Sequence, residues 1–283
     1  MKIYMDGQYY GKEDARISVY DHGLLYGDGI FEGIRIYSGR IFKLKEHIDR
    51  LYDSARALRL VIPMDAEEMI RTVEETVRLN DKTEGYIRLL VTRGKGSLGI
   101  DPSTCPKASV VIIVEDIQLY PAELYKKGIK IITAAARRIT GDIFDPRIKS
   151  LNYLNNVMAK MEARDAGCPE AVMLNREGYV TECTGDNIFI IRKGELLTPA
   201  PWLGLLEGIT RNTILDLAAE LKIPARETTM TRYDLYTADE CFLTGSGAEI
   251  IPVTSIDGRT VGNGKPGELS ERLRSAFERL IRN

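Results

Sequence analysis

The stretch Lys149-Ser150-Leu151-Asn152-Tyr153-Leu154-Asn155-Asn156 has the residue types and spacing to do chemistry. A lysine follows Asp145-Pro146-Arg147-Ile148 and precedes an amphipathic pattern, with a tyrosine four residues on and three asparagines within five positions. An amine set among hydrogen-bonding side chains, with its pKa depressed, attacks an aldehyde and holds it as an imine. The chain has 39 lysines and arginines, and most such residues are solvated surface charges. Lys149 therefore gains meaning only from the residues that accompany it elsewhere.

Other chemistries are poorly supplied. There are two histidines, His22 and His47, too few for a multi-histidine metal site and unpromising for a Ser-His-Asp hydrolase, while carboxylate-only metal sites stay open. Cys105, Cys168, Cys183 and Cys241 are far apart and form no C-x-x-C pair, which reads as reduced thiols in a cytoplasmic protein. A net charge of -2 with both signs mixed along the chain leaves neither a nucleic-acid footprint nor a polybasic membrane anchor. The opening Met1-Lys2-Ile3-Tyr4-Met5-Asp6-Gly7 is too short and polar for a signal peptide. No apolar run approaches the ~20 residues of a membrane helix. At 283 residues, 44% hydrophobic and 28% charged, the chain has the size and composition of a two-domain soluble protein.

The elements that must position these residues follow from periodicity. Two short strands meet at an Asp6-Gly7 turn, and Ile30–Tyr37 turns at Ser38-Gly39 into residues 40–44, a hairpin signal. Residues 45–60 switch to helical spacing, with Ile48, Leu51, Tyr52, Ala55 and Leu58 on one face and Arg50 opposite, where periodicity reads it as a surface charge. A helix over 65–80 is capped by Asp65. Strands are predicted at Tyr86–Thr92 and Ala108–Val114. Between them Gly94-Lys95-Gly96-Ser97-Leu98-Gly99 matches G-x-G-x-x-G. The dinucleotide fingerprint needs a helix opening at the third glycine, whereas Asp101-Pro102 and Cys105-Pro106 follow here, so the segment reads as a loop.

Residues 115–127 read as a linker, and a strand at Ile129–Ala135 opens the second half. The helix after Lys149 runs to about Ala166, with Leu154, Val157, Met158 and Met161 as its apolar spacing. Strands at Glu170–Leu174 and Tyr179–Thr181 and a hairpin of Ile188–Arg192 with Glu195–Thr198 come next. Gly208-Ile209-Thr210-Arg211 opens a helix with Thr210 as its expected N-cap. Such a terminus offers free N–H groups to phosphate, although most capped helices bind nothing. Strand Glu240–Thr244 runs into Gly245-Ser246-Gly247, a second small-residue turn able to present amides to an anion. Strand Ile250–Ile256 and a helix over 267–281 complete the chain.

Six ordered motifs give these pieces a common sense: Tyr26-Gly27-Asp28-Gly29-Ile30-Phe31-Glu32-Gly33-Ile34-Arg35, His47-Ile48-Asp49-Arg50-Leu51, Tyr86-Ile87-Arg88, Lys149-Ser150-Leu151-Asn152-Tyr153, Glu182-Cys183-Thr184-Gly185-Asp186-Asn187 and Gly208-Ile209-Thr210-Arg211. Together they resemble the fold-type IV pyridoxal-phosphate enzymes, and among these the branched-chain-amino-acid aminotransferases, from Met1 to the last helix. The resemblance implies an α/β chain with α+β character. It would comprise a small N-terminal α/β domain (1–117), an interdomain linker (118–128) and a larger C-terminal cofactor-binding domain (129–283) with a pseudo-barrel sheet. It implies pyridoxal 5'-phosphate as cofactor and no metal. Lys149 would be the Schiff-base lysine and proton shuttle, and Glu182 the partner of the pyridine nitrogen, keeping the ring protonated as an electron sink. Tyr153 would bond the ring phenolate oxygen. Arg50, the amides of Ile209 and Thr210, and the Ser246 hydroxyl would hold the phosphate, so the polar face of the 45–60 helix would look toward the cofactor. Tyr26, Phe31, Gly33, Tyr86, Arg88, Ser246 and Gly247 would surround the substrate, with Arg88 pairing with the side-chain carboxylate of glutamate; the alternative for Arg88 is a structural salt bridge.

The implied reaction is transamination between leucine, isoleucine or valine and 2-oxoglutarate, as in branched-chain amino-acid biosynthesis. The implied assembly is a homodimer or higher oligomer, with residues near Leu98–Asp101 closing a neighbour's site. The family often has Thr then Ala where Ser246 and Gly247 stand, and glycine where Cys183 stands; neither departure removes a catalytic group. Rivals of the same fold are a D-amino-acid aminotransferase, which traps the substrate carboxylate with an Arg-x-His pair in the loop matching 93–101, where this chain has no histidine, and an aminodeoxychorismate lyase. Rivals of another class are a non-catalytic binding protein on this scaffold and a dehydrogenase using the 94–99 loop. The joint presence of Lys149, Glu182, Arg50 and Tyr153 argues against the first, and the lack of a helix signal after Gly99 against the second.

Overall fold

The computed structural model describes residues 1–117 and 120–282. They form two compact units, residues 1–117 with 148–152, and residues 120–147 with 153–282. The division by sequence places Lys149 in the second half. In the structure the short excursion that carries it packs with the first.

In the first unit, β1 (Lys2–Met5), β2 (Gln8–Gly11), α1 (His22–Tyr26), β3 (Gly29–Tyr37), β4 (Arg40–Ile41), α2 (Leu44–Ala57), α3 (Ala66–Leu79), β5 (Gly85–Thr92) and β6 (Ser109–Glu115) follow in chain order. The described strands make one antiparallel sheet ordered β2-β1-β6-β5-β3-β4. Alternation along β3 sends Ile30, Ile34 and Ile36 into a core shared with Ile48, Leu51 and Ala55 of α2 and Val73 and Val77 of α3. Asp65 caps α3 as expected, accepting from the Glu68 amide at 2.8 Å. No helix opens after Gly99; the chain runs through an irregular loop to a single 3-10 turn at Pro102–Thr104.

In the second unit come α4 (Ala122–Lys127), β7 (Ile129–Thr133), α5 (Leu154–Asp165), β8 (Glu170–Leu174), β9 (Val180–Cys183), β10 (Asn187–Arg192), β11 (Glu195–Pro199), α6 (Ile209–Glu220), β12 (Ala225–Thr228), α7 (Arg232–Tyr236), β13 (Glu240–Gly245), β14 (Glu249–Ile256), β15 (Arg259–Thr260) and α8 (Glu268–Arg282). The described strands make a mixed sheet ordered β12-β11-β10-β13-β14-β7-β8-β9, with β15 beside β14. The sheet curls, so that β9 at one end of the hydrogen-bonded order comes to lie against β10 and β11. Ile188, Ile190, Val172, Leu174, Leu243 and Ile251 fill the enclosed core.

Residues 118 and 119, at the head of the expected linker, lie outside the described residues. In the rest of that segment Tyr120 is buried in the second unit's core, and α4 packs Leu124 and Tyr125 against it. Two local expectations are corrected. On α5 the inward face is Asn156, Ala159 and Ala163, whereas Leu154, Val157, Met158 and Met161 are each about half exposed or more. Small residues there let the helix sit close on Ala171 and Met173 of β8, which the larger side chains would prevent. The N-cap of α6 is Gly208, not Thr210. A Cβ at Gly208 would lie 2.0 Å from Asn187 Oδ1, so the chain must pass here as glycine, and Thr210 is buried one position inside the helix.

Candidate active site

In the first unit, residues 148–152 lie beside the start of β3. The Phe31 amide donates to the Lys149 carbonyl at 2.9 Å, and the Leu151 amide to the Gly29 carbonyl at 2.9 Å. The Lys149 amide donates to Ser54 Oγ of α2 at 3.2 Å. The lysine is thus fixed by backbone to both β3 and α2, and its Nζ lies over the Phe31 ring, 4.6 Å from the centroid. Arg88, one strand over on β5, lies against the same ring at 4.8 Å and against Tyr86 at 5.4 Å. A Cβ at Gly33 would meet the Tyr86 hydroxyl at 1.8 Å, so this glycine makes room for the tyrosine. Phe31, Gly33, Tyr86, Arg88 and Lys149 are therefore brought together. Tyr26 is further along, partly exposed, with its ring edge-on to His22 at 5.0 Å and its hydroxyl donating to the Leu98 carbonyl.

Periodicity reads Arg50 as a surface charge, and the structure corrects this: its side chain is 15% exposed and grips the fully buried Glu32. Nε and Nη2 donate to the two carboxylate oxygens at 2.8 and 2.7 Å. His47 Nδ1 is 2.7 Å from Oε2 of the same carboxylate. Burial opposes ionisation of Glu32 most strongly of any single cause, but the Arg50 guanidinium and His47, by charge and hydrogen bond together, outweigh it and hold the carboxyl well below its usual range. Burial also pushes His47 down. A neutral imidazole facing a carboxylate must carry its proton on Nδ1 and donate it.

In the second unit, Glu182 at the end of β9 is almost fully buried and ion-paired with Arg138, Nε to Oε1 at 2.8 Å. Its Oε2 accepts from the Leu206 amide at 3.1 Å and the Asn187 side-chain amide at 3.5 Å. Asn187 also donates to the Leu206 carbonyl at 2.8 Å, which links the carboxylate to the segment that opens α6. Two of the three clustered asparagines brace this pair. Arg138 Nη1 donates to Asn155 Oδ1 and Asn156 Oδ1, both at 3.3 Å, and Asn156 donates to the Thr184 carbonyl at 2.8 Å. The third, Asn152, donates to the Gly27 carbonyl in the first unit. Tyr153 stands at the N-terminus of α5. The amides of Ile209 and Thr210 are in the first turn of α6, which has no side-chain cap. Ser246 and Gly247 form the half-buried turn from β13 to β14, close in sequence to Thr244, whose buried hydroxyl has no hydrogen-bond partner among the described residues.

In the first unit an amine fixed on rigid elements suits an aldehyde. In the second, among the described residues, a helix N-terminus without a side-chain cap and a buried hydroxyl without a partner suit a phosphate, and a braced carboxylate can accept from a protonated ring nitrogen. Sequence reasoning missed Arg138, Glu32 and His47. The signal for Glu32 was a carboxylate on the isoleucine face of a strand. Arg138 gave none beyond its place in Arg137-Arg138.

The fold and these groups define an amino-group-transferring enzyme. Residues 29–256 match the family of class IV amino-transferases, most of the chain's length, and the chain belongs to that family. It is 51% identical over 278 residues, 98% of this chain and 96% of the other, to a Methanocaldococcus jannaschii protein provisionally assigned as a branched-chain-amino-acid aminotransferase. The crystal structure of the Escherichia coli branched-chain amino acid aminotransferase superposes with a TM-score of 0.96 at 35% identity, over 99% of this chain and 94% of that one. The Thermobaculum terrenum branched-chain amino acid aminotransferase in its PLP form gives 0.90 at 31% identity, over 100% and 94%.

Proposed function

We propose that this chain transfers the amino group between leucine, isoleucine or valine and 2-oxoglutarate, giving the branched-chain 2-oxo acid and L-glutamate, with pyridoxal 5'-phosphate as cofactor. One observation carries the reading: the Lys149 amine and the Arg88 guanidinium rest on the same Phe31 ring, at 4.6 and 4.8 Å. An apolar wall for an aliphatic side chain and a cation for an acidic one therefore adjoin the reacting amine. When bound, pyridoxal phosphate supplies an aldehyde and a ring that accepts electron density from the substrate Cα.

The Lys149 amine would take the proton from the substrate Cα and act as the proton shuttle. Glu182 holds a proton at the ring nitrogen, and Arg138 with its asparagines keeps the carboxylate oriented for it. Tyr153 donates to the ring oxygen. Arg50, the Ile209 and Thr210 amides and the Ser246 hydroxyl hold the phosphate. Phe31, Gly33, Tyr86 and Tyr26 shape the side-chain pocket, Arg88 reads the carboxylate of glutamate, and Ser246 and Gly247 contact the substrate. Homologues named as branched-chain enzymes and the absence of histidine in the 93–101 loop support this over a D-specific enzyme.

Among the described residues no helix is long and apolar enough to cross a membrane, and the four cysteines are unpaired, which supports a cytoplasmic location. Leu98 and Ile100, 67% and 82% exposed, support a homodimer or larger assembly in which a neighbour covers them. The test is a panel of amino donors, both enantiomers, against 2-oxoglutarate, with borohydride trapping of the cofactor. Turnover of L-leucine, L-isoleucine and L-valine with label on Lys149 alone is expected. Preference for D-enantiomers, or label on another lysine, refutes the reading.

A further inference from the structure

Glu32 is a charge where packing asks for none. On β3 it shares its face with Ile30, Ile34 and Ile36, each 0% exposed, as is Glu32 itself. A buried ion pair is commonly no more stable than apolar residues of similar volume, so stability does not account for a carboxylate among isoleucines. What the carboxylate does is geometric. It takes the Nε–Nη2 edge of Arg50 in a two-point grip, at 2.8 and 2.7 Å. A planar guanidinium gripped along one edge has its plane set and its Nη1 direction fixed. His47, at 2.7 Å from Oε2, holds the carboxylate in turn, and it sits on the same helix as Arg50. The amine of Lys149 is referenced to these same two elements through Phe31 and Ser54. Arginine and lysine are therefore held in one rigid frame, with Glu32 at its centre.

We infer that Glu32, steadied by His47, is a positioning residue that aims Arg50 at the cofactor phosphate. The inference rests on the cofactor reading above. Glu32 acts through Arg50, so its removal weakens the hold on phosphate and not the reaction of Lys149 with an aldehyde.

The test uses the full-length apoenzyme titrated by absorbance with pyridoxal 5'-phosphate and with pyridoxal, which lacks the phosphate. Glu32→Gln is expected to raise the Kd for pyridoxal phosphate about ten- to a hundred-fold, the loss of one or two charge-assisted hydrogen bonds, and to leave the Kd for pyridoxal within about threefold. In an Arg50→Ala background the same change adds nothing, since the two act as a unit. Should Glu32→Gln fail to fold, Glu32→Asp and His47→Gln carry the comparison, each narrowing the preference for pyridoxal phosphate by a few-fold. Equal losses for both ligands, or a full further loss on Arg50→Ala, overturn the inference. A wild type with no preference for the phosphorylated aldehyde overturns the cofactor reading and this inference with it; a preference that survives every substitution overturns the inference alone.

Discussion

Arg88→Met separates the two substrates of the proposed reaction at one residue. Among the described residues the Arg88 guanidinium makes no ion pair or hydrogen bond; its contacts are the faces of Phe31 and Tyr86, at 4.8 and 5.4 Å. The salt-bridge alternative for Arg88 is thereby set aside for the isolated chain. Each exposed cation–π contact is worth roughly 0.5–1 kcal/mol, and methionine keeps comparable contact through its sulfur at about 0.3–1.5 kcal/mol. The variant should therefore melt within a few degrees of the wild type. The functional loss is larger and selective. A charge-assisted hydrogen bond to the side-chain carboxylate of glutamate contributes roughly 1.5–3 kcal/mol. At ~1.4 kcal/mol per decade, kcat/KM for glutamate should fall about ten- to a hundred-fold. Leucine presents no carboxylate there, and its kcat/KM should stay within a few-fold or rise. The assay is steady-state transamination with each donor on the same two proteins, beside a thermal melt. Equal losses for glutamate and leucine would refute the recognition role.

Arg138→Met leaves Glu182 buried without its cation, which should cost the apoenzyme about 3–5 kcal/mol in denaturant unfolding; bound cofactor, supplying a cation at its ring nitrogen, should then stabilise the variant more than the wild type, and equal stabilisation counts against the pairing. Glu182→Gln should bind cofactor yet lose much of its Cα-proton abstraction rate, and unchanged single-turnover kinetics would exclude the role. Burial and the neighbouring Glu170 carboxylate push Asp186 up to about 7. The folded chain keeps that proton while the unfolded chain releases it near pH ~3.9, so this group makes stability fall as pH rises from about 4 to about 7 and level off above. Asp186→Asn should therefore gain in Tm over the wild type at pH 8 and lose that gain at pH 4.5; a difference independent of pH contradicts the assignment.

The sequence by itself determined most of the local elements and nominated the candidate members of the site. Runs of β-forming residues, turn signals and helical spacing placed β3, β5, β6, α2 and α3, because such local signals are written in the residues themselves. The motifs named Lys149, Glu182, Arg50 and the α6 N-terminus. What only the tertiary structure decided depends on partners far apart in the chain. Residues 148–152 joined the first unit because their backbone pairs with β3, and backbone pairing leaves no trace in side-chain pattern. Arg50 left the surface reading because a carboxylate 18 residues earlier was waiting in the core. Arg138 found Glu182 across 44 residues, and Asn155 and Asn156 of the asparagine cluster brace that pair. On α5 the period was real but its apolar face was the outer one, since alanines gave the closer approach to β8. Periodicity reports that a face exists; only the neighbour that packs on it decides which face is inside.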